Sequence, residues 1–144
     1  MGPSSRISYS NLRKAANFED FLAMNQENML NLTLSDYLNQ LLAQRELKLA
    51  SVIRRSGLVK SYVHQIFNGE KRPSRDKLIA LAFGLKLNEE ETQRMLKLGG
   101  CSELFPRIER DALILFNIQH GKSIYETDKT LYELGFDTLL PRDD

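Results

Sequence analysis

The sequence predicts an all-α fold, and three observations carry that expectation. Apolar residues recur at i, i+3 and i+4 along nearly the whole chain. Thr33, Asn88 and Ser123 each precede an acidic residue by three positions, a helix-start pattern, and glycines fall where the apolar stripes stop. Alternating β-branched runs, which would mark strands, are almost missing.

Phe18, Phe21, Leu22 and Met29 predict a first amphipathic helix over about residues 17–30. Thr33 caps the next, with Asp36 three residues on and a stripe of Tyr37, Leu38, Leu41 and Leu42. A short helix over residues 48–55 is expected to bury Leu49, Val52 and Ile53 and to stop at Ser56-Gly57, where glycine takes the left-handed conformation. Another follows within three residues, over residues 60–67, with Val63, Ile66 and Phe67 inward and Asn68-Gly69 at its end. Pro73 keeps residues 70–74 a loop, and Ser74 caps a helix carrying Leu78, Ile79, Leu81 and Ala82. Asn88 and Glu91 open a helix with Met95, Leu96 and Leu98, ended by Gly99-Gly100. Near Pro106 a further helix is expected to start, with Ile108, Ala112, Leu115 and Phe116 at helical spacing until Gly121. Ser123 and Glu126 open the last, which holds Tyr125, Leu131 and Leu134 and ends at Gly135.

These elements suggest three parts: residues 1–16 as a flexible N-terminus that begins with tag-like Gly/Pro/Ser filler, 17–98 as a compact domain with a leading helix, and 99–144 as a helical extension. A chain of 144 residues with 42% hydrophobic and 27% charged residues has enough apolar content for one good core, and is too apolar for a disordered protein. It has no apolar run of the about 18–20 residues that a membrane span requires and no signal-peptide core, so a cytoplasmic protein without membrane contact is expected. Cys101 stands alone and His64 and His120 are scattered, which leaves no disulfide framework, no metal-ligand spacing and no expected cofactor.

The net charge of +1 is uninformative, but its distribution is not. Between Arg45 and Lys77 lie nine basic and three acidic residues, a net +6, so the remainder of the chain carries −5. A basic centre between acidic flanks suits a module that meets phosphates on one face; a merely solvated charged face is the plain alternative.

Two helices of about eight residues cannot be stable alone, so a pair joined by a glycine turn must be held by its neighbours. That arrangement is a helix-turn-helix over residues 48–69, whose second helix projects and fits the roughly 12 Å major groove of DNA. With Val63, Ile66 and Phe67 inward, its outer face is Lys60, Ser61, His64, Gln65 and Asn68. Gln pairs with adenine and Lys with guanine, so Lys60, Ser61, His64 and Gln65 are the candidate base-contacting residues. Lys48 and Ser51, at the start of the preceding helix, and the flanking cations Arg54, Arg55, Lys71, Arg72 and Arg75 are placed for phosphates. Two assignments have plain alternatives: His64 as a solvated surface histidine, and Tyr62 as a packing residue rather than a phosphate contact. Phe105, Phe116, Tyr125 and Tyr132 leave a ligand pocket as one reading, but aromatic residues at helical spacing read better as core. Glu89, Glu90 and Glu91 are explained by a positive helix N-terminus. No nucleophile arrangement, phosphate-cradling glycine loop or acid pair suggests an enzyme.

The segment LASVIRRSGLVKSYVHQIFNGEKRPSRDKLIALAFGL, from Leu49 to Leu85, resembles the Xre/lambda-repressor-like helix-turn-helix family in its glycine turn, its helix ending in NGEKRPS and the amphipathic helix after it. The resemblance implies a five-helix DNA-binding domain, here preceded by an N-terminal helix, and the region from Gly99 on resembles the C-terminal helical extensions of some bacterial members. It implies base contacts from Lys60, Ser61 and Gln65, and backbone contacts from Asn68, Lys71 and Arg72. Ile53 departs from the alanine the family favours in the middle of the first helix of the pair, which puts the spacing of the two helices in question.

The leading expectation is therefore a transcriptional regulator, a repressor, that binds double-stranded DNA as a homodimer, with the dimer contact in the N-terminal helix or after Gly100. The alternative is an antitoxin-like or adaptor module that grips a protein partner through its extension, with DNA binding secondary.

Overall fold

The computed structural model describes residues 9–25 and 32–142, and all their regular structure is helical. They fall into two compact units, one within Met1–Leu32 and one within Thr33–Asp144. The first holds α1 (Tyr9–Lys14), a helix the periodicity did not predict, and α2 (Phe18–Asn25). Asn17 caps α2 by accepting the Asp20 N–H at 2.8 Å, and the Phe18 and Phe21 rings stack. The tag-like residues 1–5, and Met29 with the rest of the expected helix beyond residue 25, lie outside the described residues.

The second unit contains α3 (Leu34–Gln44), α4 (Leu49–Ser56), α5 (Lys60–Phe67), α6 (Arg75–Leu85), α7 (Glu89–Leu98), α8 (Glu109–Gln119) and α9 (Ile124–Glu133). The side chains of Thr33, Ser74, Asn88 and Ser123 cap their helices, and Asn88 with Glu91 forms a full capping box. Pro106 lies ahead of α8 instead of opening it; Ile108 is the N-cap residue.

The hub is α6, whose residues from Leu78 to Leu85 are all buried. A helix apolar all round must be covered on every side. Packed against α6 are α4 and α7. The α4 contact is close enough that a Cβ at Gly84 would stand 2.6 Å from the Val52 carbonyl oxygen. Only glycine lets the two backbones approach so closely.

The unit continues through Gly99-Gly100 into the extension, which is fastened to the earlier helices by polar contacts. Gln93 holds the Leu104 backbone at both its N–H and C=O, each at 2.8 Å. Arg75-Asp76 on α6 meets Arg110-Asp111 on α8 in two crossed, two-pronged ion pairs. The Asp128 carboxylate accepts the Leu139 and Leu140 N–H groups, which sets the tail beyond α9.

The expectation that Phe105, Phe116, Tyr125 and Tyr132 are core is overturned, for each is about half exposed. The interior of the extension is instead aliphatic: Leu104, Ile114, Leu115, Ile118, Ile124 and Leu131. The aromatics find polar company at the surface: Phe116 stacks on His120, and Tyr132 lies under the Arg142 guanidinium. No helix among the described residues is long and apolar enough to cross a membrane.

Candidate nucleic-acid interface

α4 and α5 are joined by Gly57-Leu58-Val59, and the turn is pinned from both sides. Gly57 adopts φ +72° and its N–H donates to the Ile53 carbonyl. Buried Ser56 donates its hydroxyl to Ile53 O at 2.8 Å and accepts the Leu58 N–H at 3.2 Å. With Leu58 buried as well, the direction in which α5 leaves α4 is set by hydrogen bonds and packing together.

Val63, Ile66 and Phe67 seat α5 in the core, and the Asn39 amide of α3 donates to the Phe67 carbonyl at 2.8 Å. The opposite face carries Lys60, Ser61, His64 and Asn68, all exposed, with Gln65 and Tyr62 half-buried at its edges. After α5 the chain folds back, and the N–H groups of Glu70 and Lys71 both donate to the Gln65 carbonyl. Buried Pro73 anchors the loop from which Lys71 and Arg72 project into solvent.

The remaining sequence-selected residues divide into those facing outward and those engaged within the protein. Lys48 is the exposed N-cap of α4, and Ser51 is half-buried in its first turn. Lys48, Arg54, Lys60, Lys71 and Arg72 are exposed and make no ion pair among the described residues. Tyr62 has the Lys77 ammonium 5.9 Å from its ring centroid, and partial burial raises the pKa of its hydroxyl.

Arg75 is placed differently from the expected phosphate contact. Its Nε donates to Ser102 O, Nη1 to Asp111 Oδ1, and Nη2 to Glu103 O and Asp111 Oδ2, which uses four of its five N–H donors. Arg55, expected among the flanking cations, turns inward with its Nε on the Gly84 carbonyl at 3.0 Å. Arg45 pairs with Glu91. The outward-facing charge of the basic window is thus smaller than its composition suggests, because acidic residues distant in sequence neutralise part of it.

Leu49 and Ile53, expected to be buried beside Val52, are only half-buried. They line a shallow apolar groove with Ala50, Lys60 and His64. Ile53 therefore stands at the edge of the α4–α5 contact, where its extra bulk over alanine projects into the groove. Sequence periodicity could not reveal this groove, since it spaces Leu49 and Ile53 as core residues. Apolar side chains next to hydrogen-bonding ones have the chemistry to meet a thymine methyl beside a base edge.

Residues 33–95 match the family model described as a helix-turn-helix domain. The match begins where the second compact unit begins and ends within α7, so it covers α3 to α6 and most of α7. The described residues are thus all-helical in their regular structure and include a helix-turn-helix domain, the architecture of a DNA-binding regulator. No curated protein and no solved structure matches the chain.

Proposed function

We propose that this chain is a sequence-specific transcriptional regulator of the Xre/lambda-repressor-like type. It sets α5 in the major groove, where Lys60, Ser61, His64 and Gln65 meet base edges. Lys48, Ser51, Tyr62, Asn68, Lys71 and Arg72 meet the flanking phosphates. The observation that carries the reading is the polar face of α5, exposed on a helix whose other face is locked in the core, with unpaired cations on both sides of it. The reading takes it as a repressor that blocks its operator by occupying it, on bacterial DNA in the cytoplasm, and as a binding protein rather than an enzyme.

A helix of this length reads only a few base pairs, so two copies on a two-fold operator supply the specificity. The extension offers apolar surface for that contact: Ile108 at the N-cap of α8 and Phe116 on α8 are each 50% exposed, with half-buried Ala112 between them in sequence. The same surface is the place a protein partner would use in the adaptor alternative.

The test is selection of bound sites from random duplexes, followed by the same selection with Lys60→Ala and Gln65→Ala. Each substitution is expected to relax the preference at one or two positions, with a loss of about 1–3 kcal/mol for the preferred base. An unchanged selected site in both variants, or no affinity for any duplex at low salt, would overturn the reading.

A further inference from the structure

Between α6 and the turn that joins α8 to α9 lies a cleft of about 410 Å³, within the size range of small-molecule sites. Its apolar lining comes from Ala82, Phe83, Leu87 and Ile118. Its charged lining is Arg55, Lys86 and Lys122 against the single carboxylate of Glu126, which is itself 3.8 Å from the Lys122 ammonium. Three cations and one anion around an apolar pocket leave an excess of positive charge.

One of these cations has hydrogen-bonding capacity that the protein leaves unused. Arg55 spends only its Nε, on Gly84 O, while its Nη2 is buried without a hydrogen-bond partner. Polar groups buried in this way normally find acceptors, so an orphaned guanidinium nitrogen beside a cleft points to a missing acceptor. Lys86 ends α6 as its left-handed C-cap residue, with φ 54°, which turns its side chain out of the helix at the rim of the cleft it lines.

We propose that the cleft binds a small amphipathic anion, its apolar body against Phe83, Leu87 and Ile118 and its carboxylate or phosphate between Arg55, Lys86 and Lys122. The site joins the helix-turn-helix to the extension: Arg55 lies two residues before Gly57, and Tyr125, which also lines the cleft, donates its hydroxyl to the Arg54 carbonyl at 2.9 Å. Occupancy therefore bears on the base of the turn that aims α5, a regulatory consequence that rests on the DNA-binding reading; the binding site itself does not.

The test is calorimetric titration of the full chain, without DNA, with 1-naphthoate, 1-naphthyl phosphate, neutral 1-naphthol and inorganic phosphate. At least one naphthyl anion is expected to fill one site roughly tenfold more tightly than 1-naphthol, and inorganic phosphate to bind roughly tenfold more weakly than that anion. Which of the two anions binds tells carboxylate from phosphate recognition. Lys86→Gly removes a cation while keeping the left-handed backbone, and is expected to weaken the anion about fivefold or more; Arg55→Gln weakens it further. Equal affinity for 1-naphthol, no saturable binding of either anion, or an unchanged affinity in Lys86→Gly would overturn the proposal. Because no DNA is present, a failure here is separate from a failure of operator selection.

Discussion

Arg75 and Asp111, 36 residues apart, form a two-pronged ion pair across the seam between α6 and α8, with Nη1 3.0 Å from Oδ1 and Nη2 2.8 Å from Oδ2. Asp111 is 3% exposed and also accepts the Phe105 N–H. Burial opposes ionisation of its carboxyl, but the Arg75 and Phe105 hydrogen bonds and the charges of Arg75 and Arg110 outweigh it and hold the pKa below the usual carboxylate value.

Asp111→Asn leaves the Arg75 guanidinium facing a neutral amide in a largely closed seam. A loss of about 2–4 kcal/mol is expected in urea unfolding, reduced from the fully buried case because the Arg75 side chain is 25% exposed. The pH dependence has a defined sign. A carboxyl whose pKa is lowered on folding contributes stability that is fully present above its unfolded value, near 3.8, and is lost as pH falls through the lower folded value. The native chain is thus expected to lose stability below about pH 4, and Asp111→Asn to show a flatter acid limb in the same range.

Arg72 and Arg75 lie three residues apart and are expected to respond in opposite ways. Arg72→Ala removes an exposed cation, so it should leave unfolding unchanged while lowering the slope of log affinity against log salt by about one. Arg75→Ala should instead destabilise the fold and, in a buffer where it remains folded, leave the salt slope near the native value. Parallel salt titrations and unfolding curves separate the two, and a slope change with Arg75→Ala alone would contradict the assignment.

Gly84→Ala places a methyl 2.6 Å from the Val52 carbonyl and 3.0 Å from Ser56 Cβ. Backbone cannot yield as a side chain does, so α4 must move off α6. The expected cost is about 1–3 kcal/mol by thermal or urea unfolding, accompanied by weaker operator binding, because α4 carries the turn that directs α5.

At Gly57 an added Cβ meets two obstacles, the left-handed backbone and the Leu140 side chain. Gly57→Ala is expected to cost at least about 1–2 kcal/mol from the backbone term alone. Leu140→Ala in the same chain should recover the steric part and leave the backbone part. A double-mutant cycle reads this as a favourable coupling; strict additivity would mean that the tail does not press on the turn.

How much of this was legible from the residues differs by level. Helix positions were readable because caps and glycine stops are local: Ser74, Asn88 and Ser123 act within three residues of themselves, and the helix-turn-helix pair falls within one residue of its expected limits. The outer face of α5 was readable for the same reason, since 3.6 residues per turn decides which side chains oppose Val63 and Ile66. α1 was missed because it buries no residue and so presents no apolar stripe.

Charge pairing was not readable, because an ion pair depends on which distant segment folds back. Nothing near Arg75 announces Asp111, and nothing near Arg55 announces the Gly84 carbonyl. Likewise the aromatics of the extension follow helical spacing, yet the aliphatic residues interleaved with them won the interior. One-dimensional order was enough to specify the helices, their ends and the polar surface of α5, since these follow from contacts within a turn or two. Which cations face solvent, where the extension grips the helix-turn-helix, and the cleft beside Arg55 arise from contacts across 27 to 71 residues of chain, and only three-dimensional packing chooses among those.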